Sequence, residues 1–163
     1  MDVYILRHGI AVERGTRGYN KDSDRPLTKE GDEKTHQIAE VLASMDLQLD
    51  LILSSPFLRA KQTAKIVADA IGLDVTYTNF LEPDGDHKKL IAEINDEKVQ
   101  RVMLVGHEPD LSQLLSVLIA GTGDGNIELK KGGVAKLTTE RLTFGRCATL
   151  NWLLTPRQLR SMR

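Results

Sequence analysis

The sequence predicts an α/β fold, a three-layer α/β/α sandwich on a mainly parallel sheet with an antiparallel edge. Over most of the chain, short apolar runs alternate with segments of helical periodicity, the pattern of strands joined by crossover helices. Near the C-terminus two strand-like runs instead follow one another around Gly145, which indicates a hairpin at the sheet edge. A chain of 163 residues suits one such unit, and we expect a single domain over residues 1–163.

The first elements are a buried strand, a long loop and a helix. Residues 3–6 are apolar on both faces, which predicts a central strand. Residues 11–25 are rich in glycine and polar side chains without periodicity, so we expect a loop. Thr28 is suited to cap the following helix, whose apolar stripe is supplied by Ile38, Val41 and Leu42.

The second apolar run, residues 51–53, predicts another buried strand followed directly by a helix. Ser55 is a favourable N-cap and Pro56 a favourable first helical residue, so we expect the helix to begin there. Gly72 ends it after about Ile71.

The remainder of the chain continues the alternation. In order, we expect a strand over 75–77, a loop over 79–87, a helix over 88–94, a buried strand over 102–105, a helix over 110–120, strands over 134–139 and 148–154, and a polar tail or short helix over 156–163.

Composition excludes several classes of protein. Hydrophobic residues make up 40% and charged residues 28%, as in ordinary soluble proteins, and the net charge of -1 gives no reason to expect a nucleic-acid partner. No apolar stretch approaches the ~20 residues of a membrane span, and the first apolar run is too short for a signal peptide. We therefore expect a cytoplasmic protein without a membrane partner, and its size makes a monomer the default expectation. Cys147 is the one cysteine, so no internal disulfide can form.

Basic side chains gather where three of the predicted strands end. The residues that follow these strands are Arg7 and His8, Ser55, and His107. Since the carboxyl ends of parallel strands share one edge of a sheet, we expect these residues to meet there, with Arg59 from the first turn of the second helix. Four basic groups without an equal number of carboxylates in the same motifs suit a dianionic phosphoryl group.

Each residue type has a distinct use at such a site. The guanidinium fork of arginine binds two phosphoryl oxygens at once and stays charged. A neutral imidazole can attack phosphorus, and a second, protonated imidazole can donate hydrogen bonds to its oxygens. Gly9 leaves room for the phosphate to approach the backbone.

Four segments together resemble the histidine phosphatase superfamily, which is phosphoglycerate mutase-like in fold. They are Leu6-Arg7-His8-Gly9, Arg25-Pro26-Leu27-Thr28-Lys29-Glu30-Gly31, Ser54-Ser55-Pro56-Phe57-Leu58-Arg59-Ala60-Lys61-Gln62-Thr63-Ala64, and Val105-Gly106-His107. The third segment and the small size are most similar to the SixA-type phosphohistidine phosphatases. The motifs occur in roughly the first two-thirds of the chain.

The resemblance implies a role for each matching position. His8 would be the nucleophile that is transiently phosphorylated, and Arg7, Arg59 and His107 would complete the phosphate pocket. Arg25 would contact phosphate or substrate from its loop, although an ordinary solvated arginine is the open alternative. No metal or cofactor is implied.

A general acid is the one role without a clear match. The wider family places an acidic residue in a loop after the second helix, and Glu82 is the nearest candidate in this chain. A simple turn carboxylate is the alternative interpretation. SixA-type enzymes are thought to depend less on such an acid, because a protonated imidazole is already a good leaving group.

These observations predict a metal-independent phosphatase that acts through a phosphohistidine intermediate. The favoured substrate is a phosphohistidine on a signalling or phosphotransfer protein, since few residues remain to build a lid over the site. A phosphomonoesterase for a small sugar phosphate or nucleotide, and a phosphate-binding module without turnover, stay open as alternatives.

Overall fold

A computed structural model of the chain describes residues 1–163, which form one six-stranded sheet with helices on both faces. The strands are β1 Asp2–Arg7, β2 Leu51–Ser54, β3 Val75–Tyr77, β4 Arg101–Gly106, β5 Val134–Thr139 and β6 Ala148–Leu154. The helices are α1 Lys29–Ser44, α2 Leu58–Ile71, α3 His87–Asp96, α4 Asp110–Ala120 and α5 Pro156–Ser161, with short 3-10 helices at Asp22–Asp24 and Asn79–Leu81. None of the helices combines the length and the apolar character needed to cross a bilayer.

The strand order is β3-β2-β4-β1-β5-β6. The pairs β1–β4, β4–β2 and β2–β3 are parallel, whereas β5 runs antiparallel to both β1 and β6. The predicted mainly parallel sheet with an antiparallel C-terminal hairpin is therefore confirmed.

Two separate cores lie on the two faces of the sheet. Along β1, Val3 and Ile5 face one core, which α3 and α4 cover. Tyr4 and Leu6 face the other, which α1, α2 and α5 cover. Because alternate side chains of a strand point to opposite faces, the double cover explains why this strand is apolar without interruption.

Helix α1 packs closely on the chain that leaves β1. As predicted, the Thr28 hydroxyl caps the helix, and it accepts a hydrogen bond from the Gly31 amide at 2.9 Å. A Cβ at Gly31 would lie 2.0 Å from the carbonyl oxygen of Ile10. Glycine in this first helical turn therefore allows the helix to reach the backbone of the loop.

The predicted start of the second helix is wrong by about two residues. Helix α2 begins at Leu58, and its N-cap Phe57 makes no side-chain capping bond. The Ser55 hydroxyl instead accepts a hydrogen bond from the Phe57 amide at 3.2 Å, a local turn that competes with helical capping.

The long loop after β1 holds more structure than its composition predicts. Ala11 forms an isolated bridge with Leu27, and Asp22–Asp24 forms a 3-10 helix. Asp22 of this 3-10 helix accepts hydrogen bonds from Arg59, which ties the loop to the sheet edge at which the basic residues are predicted to gather.

Candidate active site

Strand register brings the ends of β1, β2 and β4 together. Arg7 pairs with Gly106, and Ser54 pairs with Val105, so the next residue of each strand lies at the same sheet edge. The His8 amide donates to the Gly106 carbonyl at 3.1 Å. The two predicted site histidines therefore leave neighbouring strands side by side, with ring centroids 5.1 Å apart.

A cavity of about 300 Å³ opens at this edge. The predicted site residues that line it are Arg7, His8, Arg25, Arg59 and His107. Arg14 and Lys131 add two cations, and Glu13 and Glu108 are the acidic residues in its wall.

A larger cavity of about 400 Å³ lies at the amino ends of the strands and has a different character. No histidine lies in its wall, and two of its charged residues, Asp50 and Arg101, pair with each other. We therefore place the candidate active site at the carboxyl ends.

His8 is held with one ring nitrogen unprotonated. Only 6% of the residue is exposed, and its Nδ1 lies 2.7 Å from the Gly9 carbonyl oxygen. A carbonyl can only accept, so Nδ1 carries the proton and Nε2 carries the lone pair. Arg59 donates to that Nε2 from its Nε at 3.3 Å.

The surroundings of His8 keep its ring neutral. Burial lowers the pKa of His8 well below its usual value, and the positive charges of Arg59 and Arg7 act in the same direction. The hydrogen bond to Gly9 opposes this shift without reversing it. A neutral imidazole with an unprotonated Nε2 is the form that can attack phosphorus.

Arg59 lies in the first turn of α2 and is 2% exposed. Its Nη1 donates to the Asp22 carbonyl at 2.8 Å and its Nη2 to the Asp22 carboxylate at 3.0 Å. Asp22 also accepts from Arg25 at 2.7 Å. Although burial acts to raise the pKa of Asp22, the hydrogen bonds from these two arginines lower it to about 2.

Asp22 was not predicted as a site residue. Its one local signal is its position three residues before Arg25, a spacing common to many surface ion pairs. Nothing in the sequence places it beside Arg59, which lies 37 residues further along the chain.

His107 is buried beside Ser55, in surroundings that disfavour the protonated ring in the absence of a phosphoryl group. Its Nε2 lies 2.8 Å from the Ser55 hydroxyl oxygen, and Phe57 packs edge-on against its ring. Burial, together with the charge of Arg59, lowers the pKa of His107 to about 3. Ser55 thus contacts a site residue and does not cap the helix.

Two buried nitrogens at the site have no hydrogen-bond partner in the chain, Nδ1 of His107 and Nε of Arg7. Arg7 is otherwise anchored, because its Nη1 donates to the Leu129 carbonyl at 3.0 Å. Buried polar groups are nearly always paired, and a ligand in this cavity can supply partners for these two nitrogens.

Gly9 does not line the cavity, and its missing side chain makes room for helix α1. A Cβ at Gly9 would lie 2.5 Å from the Thr35 hydroxyl oxygen. The Gly9 amide donates to the Thr63 hydroxyl at 3.0 Å, and that hydroxyl donates to the Arg59 carbonyl at 2.7 Å. Through Thr63, the backbone after the nucleophile candidate is joined to α2.

Glu82 also lies outside the cavity wall, although its neighbour Pro83 is part of it. Glu82 is half-buried in the turn after the second 3-10 helix, where its carbonyl accepts from the Gly85 amide. Glu13 and Glu108, which sequence reasoning did not single out, are nearer to the cavity. No group of three or more histidine, cysteine or acidic side chains is arranged to hold a metal ion.

Comparison with known proteins agrees with this geometry. The sequence model that defines the histidine phosphatase superfamily (branch 1) matches residues 3–83 of this chain. Phosphohistidine phosphatase SixA of Escherichia coli is 30% identical, and the match covers 98% of this chain and 97% of that protein. An uncharacterised protein of Picosynechococcus is 36% identical over 84% of each chain.

Solved structures match over the whole fold. The protein histidine phosphatase SixA complexed with tungstate has a TM-score of 0.82 at 30% identity, covering 98% of this chain and 99% of that one. The putative phosphohistidine phosphatase SixA from Agrobacterium tumefaciens has a TM-score of 0.76 at 29% identity, over 95% and 97% of the two chains. The resemblance and the phosphoglycerate mutase-like fold expected from the sequence are confirmed.

Proposed function

The chain belongs to the histidine phosphatase superfamily and is a phosphatase, and we propose that it removes the phosphoryl group from a phosphohistidine of a protein by way of a phosphorylated His8. The observation that carries this proposal is the state of the His8 ring. Its Nδ1–H donates a hydrogen bond to the Gly9 carbonyl, and its unprotonated Nε2 belongs to a cavity lined by arginines.

The reaction proceeds in two displacements. Nε2 of His8 attacks phosphorus, and the electron pair of the breaking P–N bond goes to the leaving nitrogen of the substrate imidazole. Water then attacks the phosphorylated His8, which releases H2PO4⁻ and restores the neutral ring. The Nδ1 proton stays on His8 throughout, so the bond to Gly9 is kept.

Fixed positive charge stabilises the phosphoryl oxygens in both steps. Arg7, Arg25 and Arg59 supply it in the cavity wall. The unpaired buried nitrogens of Arg7 and His107 are suited to phosphoryl oxygens as partners. Positioning and charge stabilisation supply most of the catalysis of phosphoryl transfer, and the loss of one preorganised donor typically costs ~10²–10³ in rate.

A nitrogen-linked substrate needs no proton donor from the protein. An imidazole with a proton on its other nitrogen leaves as a neutral molecule, whereas an alcohol leaving group needs a proton. Asp22, with a pKa of about 2, is ionised at neutral pH, and Glu82 does not line the cavity. Full-length similarity to a phosphohistidine phosphatase supports the same choice.

A small phosphate ester is the second candidate substrate. Glu13 and Glu108 line the cavity, and either carboxyl group can act as the acid that an ester requires if it is protonated.

The test compares kcat/KM for a phosphohistidine-bearing protein and for p-nitrophenyl phosphate, and traps the intermediate with ³²P-labelled substrate. We expect a preference for the phosphohistidine protein and an acid-labile label that His8→Ala abolishes. His36→Ala is the control, since His36 is an exposed histidine of α1.

Wild-type turnover by His8→Ala would exclude the mechanism. A preference for the ester would support the second candidate. Phosphate binding without any label on His8 would identify a binding module.

A further inference from the structure

We propose that Asp22 is a positioning residue that aims Arg59 at the nucleophile. The inference rests on the proposed role of His8. Asp22 does not line the cavity and so acts through the arginine.

The contacts of Arg59 define how its guanidinium is oriented. Asp22 accepts from both terminal nitrogens, through its carbonyl at 2.8 Å and its carboxylate at 3.0 Å. Because the guanidinium is planar, two contacts at its far end also fix the direction of the remaining Nε–H. That N–H points to Nε2 of His8 at 3.3 Å.

Asp22 is itself held in place. Its second carboxylate oxygen, Oδ1, accepts from Arg25 at 2.7 and 2.9 Å and from Arg14 at 3.1 Å. Both oxygens are therefore occupied, and the 3-10 helix Asp22–Asp24 ties the loop after β1 to helix α2.

Removal of the Asp22 carboxylate should have two effects of opposite sign. Arg59 loses its orientation, which lowers turnover, because small misplacement of a reacting pair can cost ~10²-fold in rate. The cavity also gains one unit of net positive charge, which favours an anionic ligand. If Asp22 positions Arg59, its removal should therefore lower kcat without weakening the binding of phosphate.

The experiment measures kcat and KM with a phosphohistidine peptide, the Kd of inorganic phosphate by calorimetry, and thermal unfolding. For Asp22→Ala and Asp22→Asn we expect kcat to fall about 10- to 100-fold, with a phosphate Kd that is unchanged or lower. Asp22→Glu, which keeps the carboxylate, should recover part of the loss. Asp24→Asn is the matched control and should behave as wild type, since Asp24 is exposed and its carboxylate bonds only to Ser23.

Three outcomes would overturn the inference. An unchanged kcat per folded molecule would leave Asp22 a purely structural residue. A rise in both kcat and phosphate affinity would mean that its carboxylate competes with substrate for Arg59. A loss of phosphate affinity that accompanies the fall in kcat would mean that Asp22 maintains the whole phosphate pocket rather than the orientation of Arg59.

The isosteric Asp22→Asn variant decides the matter if Asp22→Ala does not fold. Activity of His8→Ala would contradict the proposed function itself, whereas wild-type behaviour of the Asp22 variants with an inactive His8→Ala would contradict only this inference.

Discussion

Burial sets the protonation of the two site histidines more than their partners do. His8 and His107 are 6% and 2% exposed, and removal of the charged imidazolium from water is the largest cause of both lowered pKa values. Arg59 adds to the effect at each ring. The same cations that suit a phosphoryl group therefore reinforce the effect of burial on the pKa of His8.

The lowered pKa of His107 predicts a pH-dependent stability. Its pKa is about 3 in the folded protein, and near 6.5 once the chain unfolds. Below the unfolded value, the unfolded state binds a proton that the folded state does not, so stability falls as the pH falls. Between pH 7 and pH 5 this group should account for a loss of ~2 kcal/mol in the free energy of unfolding.

Denaturant unfolding at both pH values, for wild type and His107→Asn, measures that contribution. The variant should lose less stability than wild type over this range. Equal losses in the two proteins would mean that His107 already titrates near its usual pKa.

At the scale of elements, the close contact between α1 and the loop after β1 explains why glycine occupies two positions there. Gly31 lets the helix reach the Ile10 carbonyl, and Gly9 lets Thr35 reach the loop. The position of His8 therefore depends on how closely a helix packs behind it, as well as on the strand that precedes it.

A double-mutant cycle tests this packing. Gly9→Ala should destabilise the protein by about 1–3 kcal/mol, because its Cβ would lie 2.5 Å from the Thr35 hydroxyl oxygen in a buried contact. In a Thr35→Ala background the part of that cost due to the hydroxyl should disappear, whereas the contact of the Cβ with Leu27 Cδ2 at 3.1 Å remains. Urea unfolding of wild type, the two single variants and the double variant gives the coupling energy between the two positions. Additive changes in the free energy of unfolding would show that the contact between Gly9 and Thr35 does not restrict the packing of α1.

At the scale of the whole molecule, positive charge is concentrated at the carboxyl ends of the parallel strands, although the chain as a whole has almost no net charge. The net charge is -1, yet the cavity wall holds Arg7, Arg25 and Arg59. These side chains meet because β1, β2 and β4 are neighbours in the sheet and end in register.

A bound oxyanion should accordingly stabilise the fold. Tungstate at ~100 times its Kd should add about 2.7 kcal/mol to the free energy of unfolding. For a chain of this size, Tm should then rise by roughly 5–10 °C. Differential scanning calorimetry measures the shift, which Arg59→Gln should largely abolish.

Arg101→Gln is the matched control, because Arg101 begins the strand that ends at Gly106. The control should keep the wild-type shift. Equal shifts in the Arg59 variant and in wild type would place the oxyanion elsewhere.

Local sequence was sufficient for most of the elements. Helix α4 and strands β5 and β6 have the predicted bounds, because apolar periodicity and glycine stops act within a few residues. The start of α2 was missed because Ser55 bonds to Phe57 in a tight turn, a competing use of the same capping residue.

What the sequence alone determined is that Arg7, His8, Arg59 and His107 gather at one sheet edge, since motifs and strand ends are local properties. Tertiary structure alone decided that burial lowers the pKa of His107, that Gly9 makes room for helix α1, and that Asp22 bonds to Arg59. The physical reason is that burial and charge proximity arise between segments far apart in the chain, once strand register and helix packing have brought them together.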